Sequence, residues 1–250
     1  MKKIYILSLI GLLFIFAVTG CNGVKPPNGT EGEGEGEGEP EPVKATVLVE
    51  AFIAMGCSAC QRVEPILEQM AVQYGKDRMI LVEIAPWGDY HTVETEQRYS
   101  KWYGLTGGVP QMAFNGLSGH LIGAADYQTI KNKIDAQLAA TPTIKLEATK
   151  TTSSTGTIIQ GKIRNVSNSS FSGLVVNGMV FRNRGMTGFR YSVTDIFDDE
   201  KISISTISPD EEKDFAIEIP GLNWTAKDDG VIFVQETSGK KIVYQSLFID

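Results

Sequence analysis

Two cysteines with two residues between them, in Cys57-Ser58-Ala59-Cys60, carry the clearest chemical signal in the sequence. They follow an apolar run from Thr46 to Ile53, which has the composition of a strand buried on both faces. After them, apolar residues recur at helical spacing from Val63 to Tyr74, and Gly75 stands where a helix C-cap belongs. The sequence therefore predicts that the pair lies at a strand-to-helix turn and opens an amphipathic helix.

Cysteine chemistry depends on the thiolate, and the start of a helix favours an anion through its unpaired N–H groups and its dipole. We predict that Cys57 is the exposed attacking cysteine and that Cys60, one turn inward, resolves the mixed disulfide. An inert structural disulfide is the alternative, although so short a loop gains little entropy from being closed. We expect no metal and no cofactor: no second CxxC or histidine pair suits zinc, and Gln61 replaces the histidine of a haem motif.

The following residues predict the elements that position this pair. We expect a buried strand at Met79–Ile84, a helix capped by Thr92, and a strand at Gln111–Phe114. A hairpin turn at Asn115-Gly116 then leads to a partner strand, and a last helix begins near Asp126. The predicted order is β-α-β-α-β-β-α.

This order, with CxxC opening the first helix, resembles the thioredoxin family. Pro65 stands five residues after Cys60, where that family has a helix-kinking proline, and Val109-Pro110 precedes the hairpin, where it has a cis-proline. The resemblance covers roughly residues 44–140. It implies that the Val109–Pro110 bond is cis and that these two residues shape the groove that binds a substrate's backbone.

Other positions depart from the thioredoxin pattern. Met55-Gly56 replaces the usual aromatic residue before CxxC, and Ala51 stands at the spacing of the family's buried aspartate. Glu50, which directly precedes Ala51, is predicted either as a buried proton acceptor or as a surface residue at a strand end. Trp87 is predicted either to bind substrate at the edge of the site or to cover the core. The departures leave the direction of electron flow open.

The first 42 residues have the pattern of a lipoprotein leader and tether. Residues 1–20 combine a short basic start with an apolar run, which is typical of a signal peptide. The segment Val18-Thr19-Gly20-Cys21 resembles the bacterial lipobox, which implies lipid attachment at Cys21. Residues 21–42 are rich in Gly, Glu and Pro, so we expect a disordered tether. A location in the cell envelope, anchored to a bacterial membrane, follows.

The sequence changes character near Thr143, where helical periodicity gives way to eight short β-rich runs separated by polar turns. The sequence therefore predicts an α/β thioredoxin-like domain over residues 43–141, followed by an all-β immunoglobulin-like sandwich over residues 142–250. This layout resembles a group of bacterial thioredoxin-like lipoproteins that have a C-terminal β-sandwich. The formal net charge of −7 argues against a nucleic-acid partner.

The function expected from these patterns is thiol–disulfide exchange outside the cytoplasm, through Cys57 and Cys60. The expected partners are cysteine-containing protein substrates, a redox partner protein and the membrane that holds the lipid anchor. A non-enzymatic surface lipoprotein that binds or assembles through its β-sandwich is the first alternative. A cysteine pair that delivers Cu(I), which suits soft thiolate ligands, is the second.

Overall fold

A computed structural model describes residues 42–185 and 188–250 of the chain. Residues Pro42–Asp250 form one compact unit. The helices are α1 (Cys60–Tyr74), α2 (Val93–Gln97), which continues into a π-helical turn at Arg98–Trp102, and α3 (Tyr127–Leu138). The strands are β1 (Val47–Phe52), β2 (Met79–Ile84), β3 (Gln111–Phe114), β4 (Leu121–Ile122), β5 (Ile144–Ser153), β6 (Gly156–Asn165), β7 (Phe171–Arg182), β8 (Ser192–Ile196), β9 (Ile202–Ile207), β10 (Glu212–Pro220), β11 (Asp228–Glu236) and β12 (Val243–Ile249). No helix among the described residues is long and apolar enough to cross a membrane.

One large mixed sheet organises the fold. It has nine strands, in the order β12-β11-β7-β8-β2-β1-β3-β4 with β9 paired to β7, and a second sheet has the order β10-β6-β5. Strands β1 and β2 are parallel with Ala51 opposite Glu83, whereas β1 and β3 are antiparallel. The two halves of the sequence join where β2 meets β8, with Glu83 opposite Ser192.

The predicted fold class, an α/β thioredoxin-like domain followed by an immunoglobulin-like sandwich, is wrong. The described chain is mostly β, and strands from both halves of the sequence share the nine-stranded sheet. The reason lies in the second face of β1 and β2, where Leu48 and Phe52 pack with Phe181 of β7 and Phe233 of β11. This face is buried against the C-terminal strands, so α1 and α3 cover only one face of β1–β3 and the second half of the sequence covers the other.

Three clusters of buried residues hold the fold together. Helices α1 and α3 cover one face of β1–β3, where Val49 and Ala51 pack with Leu67 and Ile134. The opposite face of these strands contains Leu48 and the aromatic residues described above. Between the two sheets, apolar residues of β6 and β10 pack against β7 and β11. Strand β1 alternates between the first two clusters because successive side chains point to opposite faces.

Although the predicted fold class is wrong, most of the predicted helices and strands are observed. Met79–Ile84 and Gln111–Phe114 are strands as expected, and the Thr92 hydroxyl caps α2 by accepting from the N–H of Thr95. Asp126 caps α3 in the same way, through the N–H of Thr129. Eight strands follow α3, as the β-rich runs indicated.

Candidate functional site at the Cys57–Cys60 disulfide

Cys57 and Cys60 form a disulfide, with their Cα atoms 5.2 Å apart. Cys60 is the first residue of α1 and is fully buried, whereas Cys57 precedes the helix and is half-buried. The Cys60 N–H donates a hydrogen bond to Cys57 Sγ at 3.1 Å. An anion on Cys57 would be stabilised by this N–H and by the helix dipole. The geometry therefore offers one accessible sulfur and one protected sulfur.

The loop that enters β3 lies against the disulfide. Cys57 Sγ is 3.4 Å from the carbonyl oxygen of Val109, and the Val109–Pro110 bond is cis, which confirms that expectation. Gly107 and Gly108 are exposed, and no other atom lies within 4 Å of where a Cβ on either would be. Gln111 fixes this loop, because its side-chain NH₂ donates a hydrogen bond to the Gly108 carbonyl at 2.9 Å. The backbone beside Cys57 is thus open to another chain.

Trp87 lies at the same edge of the sheet. The carboxyl ends of the parallel strands β1 and β2 lead to Cys57 and Trp87 respectively, and β3 begins at this edge. The Trp87 ring is 42% exposed and meets Tyr99 edge-on, with ring centroids 5.5 Å apart. The Tyr99 hydroxyl donates to the Gly107 carbonyl at 3.2 Å. The predicted site residues Cys57, Cys60, Val109, Pro110 and Trp87 therefore gather at one edge.

Glu50 does not belong to this group. It lies on the face of β1 that carries Leu48 and Phe52, whereas the cysteines pack on the face of Ala51. Its oxygens accept from Arg98 Nε at 2.8 Å and from the hydroxyl of Tyr103. We therefore do not retain the prediction of Glu50 as proton acceptor for Cys60. Of the two alternatives for Glu50, the surface position is also wrong, because the side chain is fully buried.

Three carboxyl groups that sequence reasoning missed lie on the cysteine side of the sheet. Burial, together with a smaller effect of the neighbouring Glu68, raises the pKa of Glu64, on α1, to about 7. Burial also raises the pKa of Glu83, on β2, to about 8, although the N–H of Tyr191 donates to its Oε2 at 2.8 Å. The Oε1 atoms of Glu68 and Glu83 are buried and accept no hydrogen bond. The sequence gives no indication that these carboxyl groups lie close together, because α1 and β2 come into contact only through the tertiary structure.

No group of three or more His, Cys, Asp or Glu residues within the described part of the chain has the geometry of a metal site. Cys21 and the tether before Pro42 lie outside the described residues, so lipid attachment stays a prediction from sequence.

Comparisons with known proteins agree with the mixed-sheet fold. A family profile described as "Protein of unknown function (DUF2393)" matches residues 117–228, which run from the segment before β4 to the start of β11. No curated protein matches the chain. The solved structure of HBP35 of Porphyromonas gingivalis is 16% identical, with 82% of this chain and 74% of that chain covered and a TM-score of 0.65. The TM-score shows a shared fold, and at this sequence identity the similarity says nothing about function.

Two other solved structures match over smaller parts. A domain of the outer membrane lipoprotein Omp28 from Porphyromonas gingivalis is 10% identical, with 44% of this chain and 89% of that chain covered and a TM-score of 0.27. β-Glucosidase 3B from Thermotoga neapolitana is 12% identical, with 43% of this chain and 15% of that chain covered and a TM-score of 0.28. The predicted membership of a thioredoxin-like family is wrong: the fold shared with HBP35 is a mostly-β mixed-sheet fold, and the cysteines form a disulfide.

Proposed function

We propose that this protein exchanges disulfides with cysteines of other proteins through Cys57. The observation that carries this proposal is the unequal exposure of the two sulfurs at the start of α1: Cys57 is half-buried beside the open Gly107-Gly108 backbone, and Cys60 is fully buried. A protein thiol can approach Cys57 and cannot approach Cys60. A disulfide that served stability alone would gain nothing from this asymmetry.

The exchange needs two substitutions at sulfur, each with a thiolate as nucleophile. A substrate thiolate attacks Cys57 Sγ, a new S–S bond forms, and the Cys57–Cys60 bond breaks with its electron pair leaving on Cys60, which then takes up a proton. A second substrate thiolate attacks the substrate sulfur of the mixed disulfide and releases Cys57 as a thiolate. The substrate is oxidised by two electrons and the cysteine pair is reduced. A redox partner protein carrying a more oxidising disulfide restores the Cys57–Cys60 bond, and the reverse sequence reduces a substrate.

The leader and tether support a place for this activity in the cell envelope. A signal peptide over residues 1–20 and lipid on Cys21 would hold the protein on a bacterial membrane, outside the cytoplasm. Disulfides persist in such compartments and are rare in the cytosol. Cysteine-containing envelope proteins are the expected substrates.

The experiment that tests this proposal follows oxidation of a reduced dithiol peptide by the oxidised protein. Cys57→Ser should abolish the reaction, because the attacked sulfur is gone. Cys21→Ser is the matched control, since it removes a cysteine outside the site and should leave the rate unchanged. Equal rates for Cys57→Ser and the parent protein would refute the proposal.

A second candidate function is binding through the C-terminal sheets without catalysis. It is favoured by a concave cavity of about 680 Å³ on the outer face of the sheet β10-β6-β5, bordered by Glu147, Lys162 and Asp214. The mostly-β fold and the uncharacterised family profile also agree with a binding protein. This candidate is favoured if cells that carry Cys57→Ser keep the function of the protein and cells that carry Lys162→Ala lose it.

A further inference from the structure

Trp87 differs from the other two tryptophans of the chain in what lies over its ring. Lys241 Nζ and the Arg98 guanidinium lie 4.5 and 5.3 Å from the ring centroid of Trp102. Lys150 Nζ lies 4.2 Å from that of Trp224. Within the described residues no lysine or arginine lies over Trp87, whose ring is 42% exposed. Among the described residues, the indole that is most open to solvent is thus the one without a cation over its ring.

Trp87 borders a cleft with an acidic rim. The cleft has a volume of about 450 Å³, and Tyr99, His91 and Glu96 line it together with Trp87. Glu96 is exposed and its Oε2 lies 3.3 Å from His91 Nε2. A second carboxylate of the same segment, Asp89, is also exposed.

The negative charge of this region is not balanced by the arginine of the same segment. Arg98 is buried and forms an ion pair with Glu50, so its charge does not face the cleft. An exposed indole face beside the carboxylates of Glu96 and Asp89 is suited to a cation.

Tyr99, a buried residue, links the lining of the cleft to the loop beside the disulfide. The Tyr99 hydroxyl contacts both the Gly107 carbonyl and the side chain of Gln111, at 3.2 and 2.8 Å. The chain then passes from Gly107 to Val109, whose carbonyl lies beside Cys57 Sγ. Because Cys57 and Trp87 follow the carboxyl ends of the adjacent parallel strands β1 and β2, a polypeptide that presents a cysteine to Cys57 can reach the cleft with a nearby side chain.

We propose that the cleft beside Trp87 binds a cationic side chain, arginine or lysine, which the substrate protein carries close to its reactive cysteine. This inference rests on the proposed exchange at Cys57 and names the class of substrate. The cation lies over the Trp87 indole and faces Glu96, so that attraction orients the substrate before sulfur chemistry begins. Trp87 and Glu96 determine specificity and take no part in the exchange of bonds.

The test measures binding without exchange. The probe is a fluorescein-labelled glycine-serine peptide that contains one S-methylcysteine and one arginine near it, and its partner contains citrulline in place of arginine. Citrulline keeps the shape of arginine and lacks its charge. At low salt the full chain, in its oxidised form, should bind the arginine peptide about fivefold more tightly. This ratio should fall toward one in Trp87→Leu and in Glu96→Gln, and in the parent protein as salt is added.

Val72→Ala and Glu218→Gln are the matched controls, because they change an exposed apolar residue in the last turn of α1 and an exposed carboxylate on β10, neither of which lines the cleft. Both should keep the ratio of the parent protein, and the urea midpoints of all four variants show that each is folded. Equal binding of the two peptides by the parent protein would overturn the inference, as would an unchanged ratio in Trp87→Leu. Loss of exchange in Cys57→Ser is measured separately, so failure of the cation site and failure of the exchange proposal give different results.

Discussion

Arg98 and Glu50 form an ion pair, with Nε 2.8 Å from Oε1 and both side chains fully buried. The pair belongs to a network in which Arg98 Nη2 also donates to Gln235 Oε1 at 2.9 Å, and Tyr103 donates to Glu50. Although burial alone lowers the pKa of Arg98, the adjacent Glu50 raises that pKa above its ordinary value. The network ties β1 to β11 through the turn after α2, so hydrogen bonds between the buried ion pair and the neutral Gln235 link the two halves of the sequence.

Glu50→Gln should destabilise the protein by about 3–5 kcal/mol, because it leaves the charge of Arg98 buried without a counterion. Urea unfolding of the oxidised protein measures this loss. The double variant Glu50→Leu with Arg98→Met should lose less than Glu50→Gln, since neither charge then remains. A cost below about 1 kcal/mol for Glu50→Gln would mean that water reaches the pair.

The free energy of unfolding should fall as pH rises from about 4.5 toward 8, in part because of Glu83. Its pKa, about 8 in the folded protein and about 4.5 in an unfolded chain, means that the folded state binds the proton more tightly. The stabilisation is complete below pH 4.5 and is lost as pH rises through the folded pKa.

Glu83→Gln should flatten this dependence, because an amide does not ionise and its oxygen can still accept from the Tyr191 N–H. Urea midpoints at several pH values measure the slope. Glu218→Gln, at an exposed position, should keep the slope of the parent protein. An equal slope in Glu83→Gln would contradict the assignment of a proton to this carboxyl group at neutral pH.

Cys21→Ser should abolish lipid attachment, because the thioether to diacylglyceride needs the cysteine sulfur. Metabolic labelling with a radioactive fatty acid and fractionation of membranes measure the change. Cys57→Ser is the control, since it removes a cysteine and keeps the lipobox. Labelling that survives in Cys21→Ser would show that the anchor lies elsewhere.

Local patterns in the sequence predict the elements of this fold well. Thr92 and Asp126 cap helices as expected, because capping depends on a side chain and on N–H groups three residues away. Periodicity likewise places β2 and β3 correctly. The fold class is wrong because it depends on pairing between β2 and β8, which are separated by more than a hundred residues. No local pattern records that pairing.

The candidate site shows the same division. Cys57, Cys60, Val109, Pro110 and Trp87 lie at one edge of the sheet because they flank the ends of three adjacent strands, and their roles in exchange and binding stay predictions. The environment of Glu50 was not predictable, since its partners Arg98 and Tyr103 are both held by Gln235 of β11. Phe189, which lies in a loop before β8, is 1% exposed in the core beneath α1, although nothing in its local sequence indicates burial there.

In the proposed exchange, Cys57 is attacked and Cys60 resolves the mixed disulfide. Mass spectrometry of a trapped mixed disulfide distinguishes these two roles, with an activated glutathione disulfide as the reagent and Cys60→Ser as the protein. Cys60→Ser should accumulate one glutathione on Cys57, because attack remains and resolution is lost. Cys57→Ser should accumulate none, since Cys60 is fully buried. An adduct on Cys60 in Cys57→Ser, with none on Cys57 in Cys60→Ser, would contradict the account.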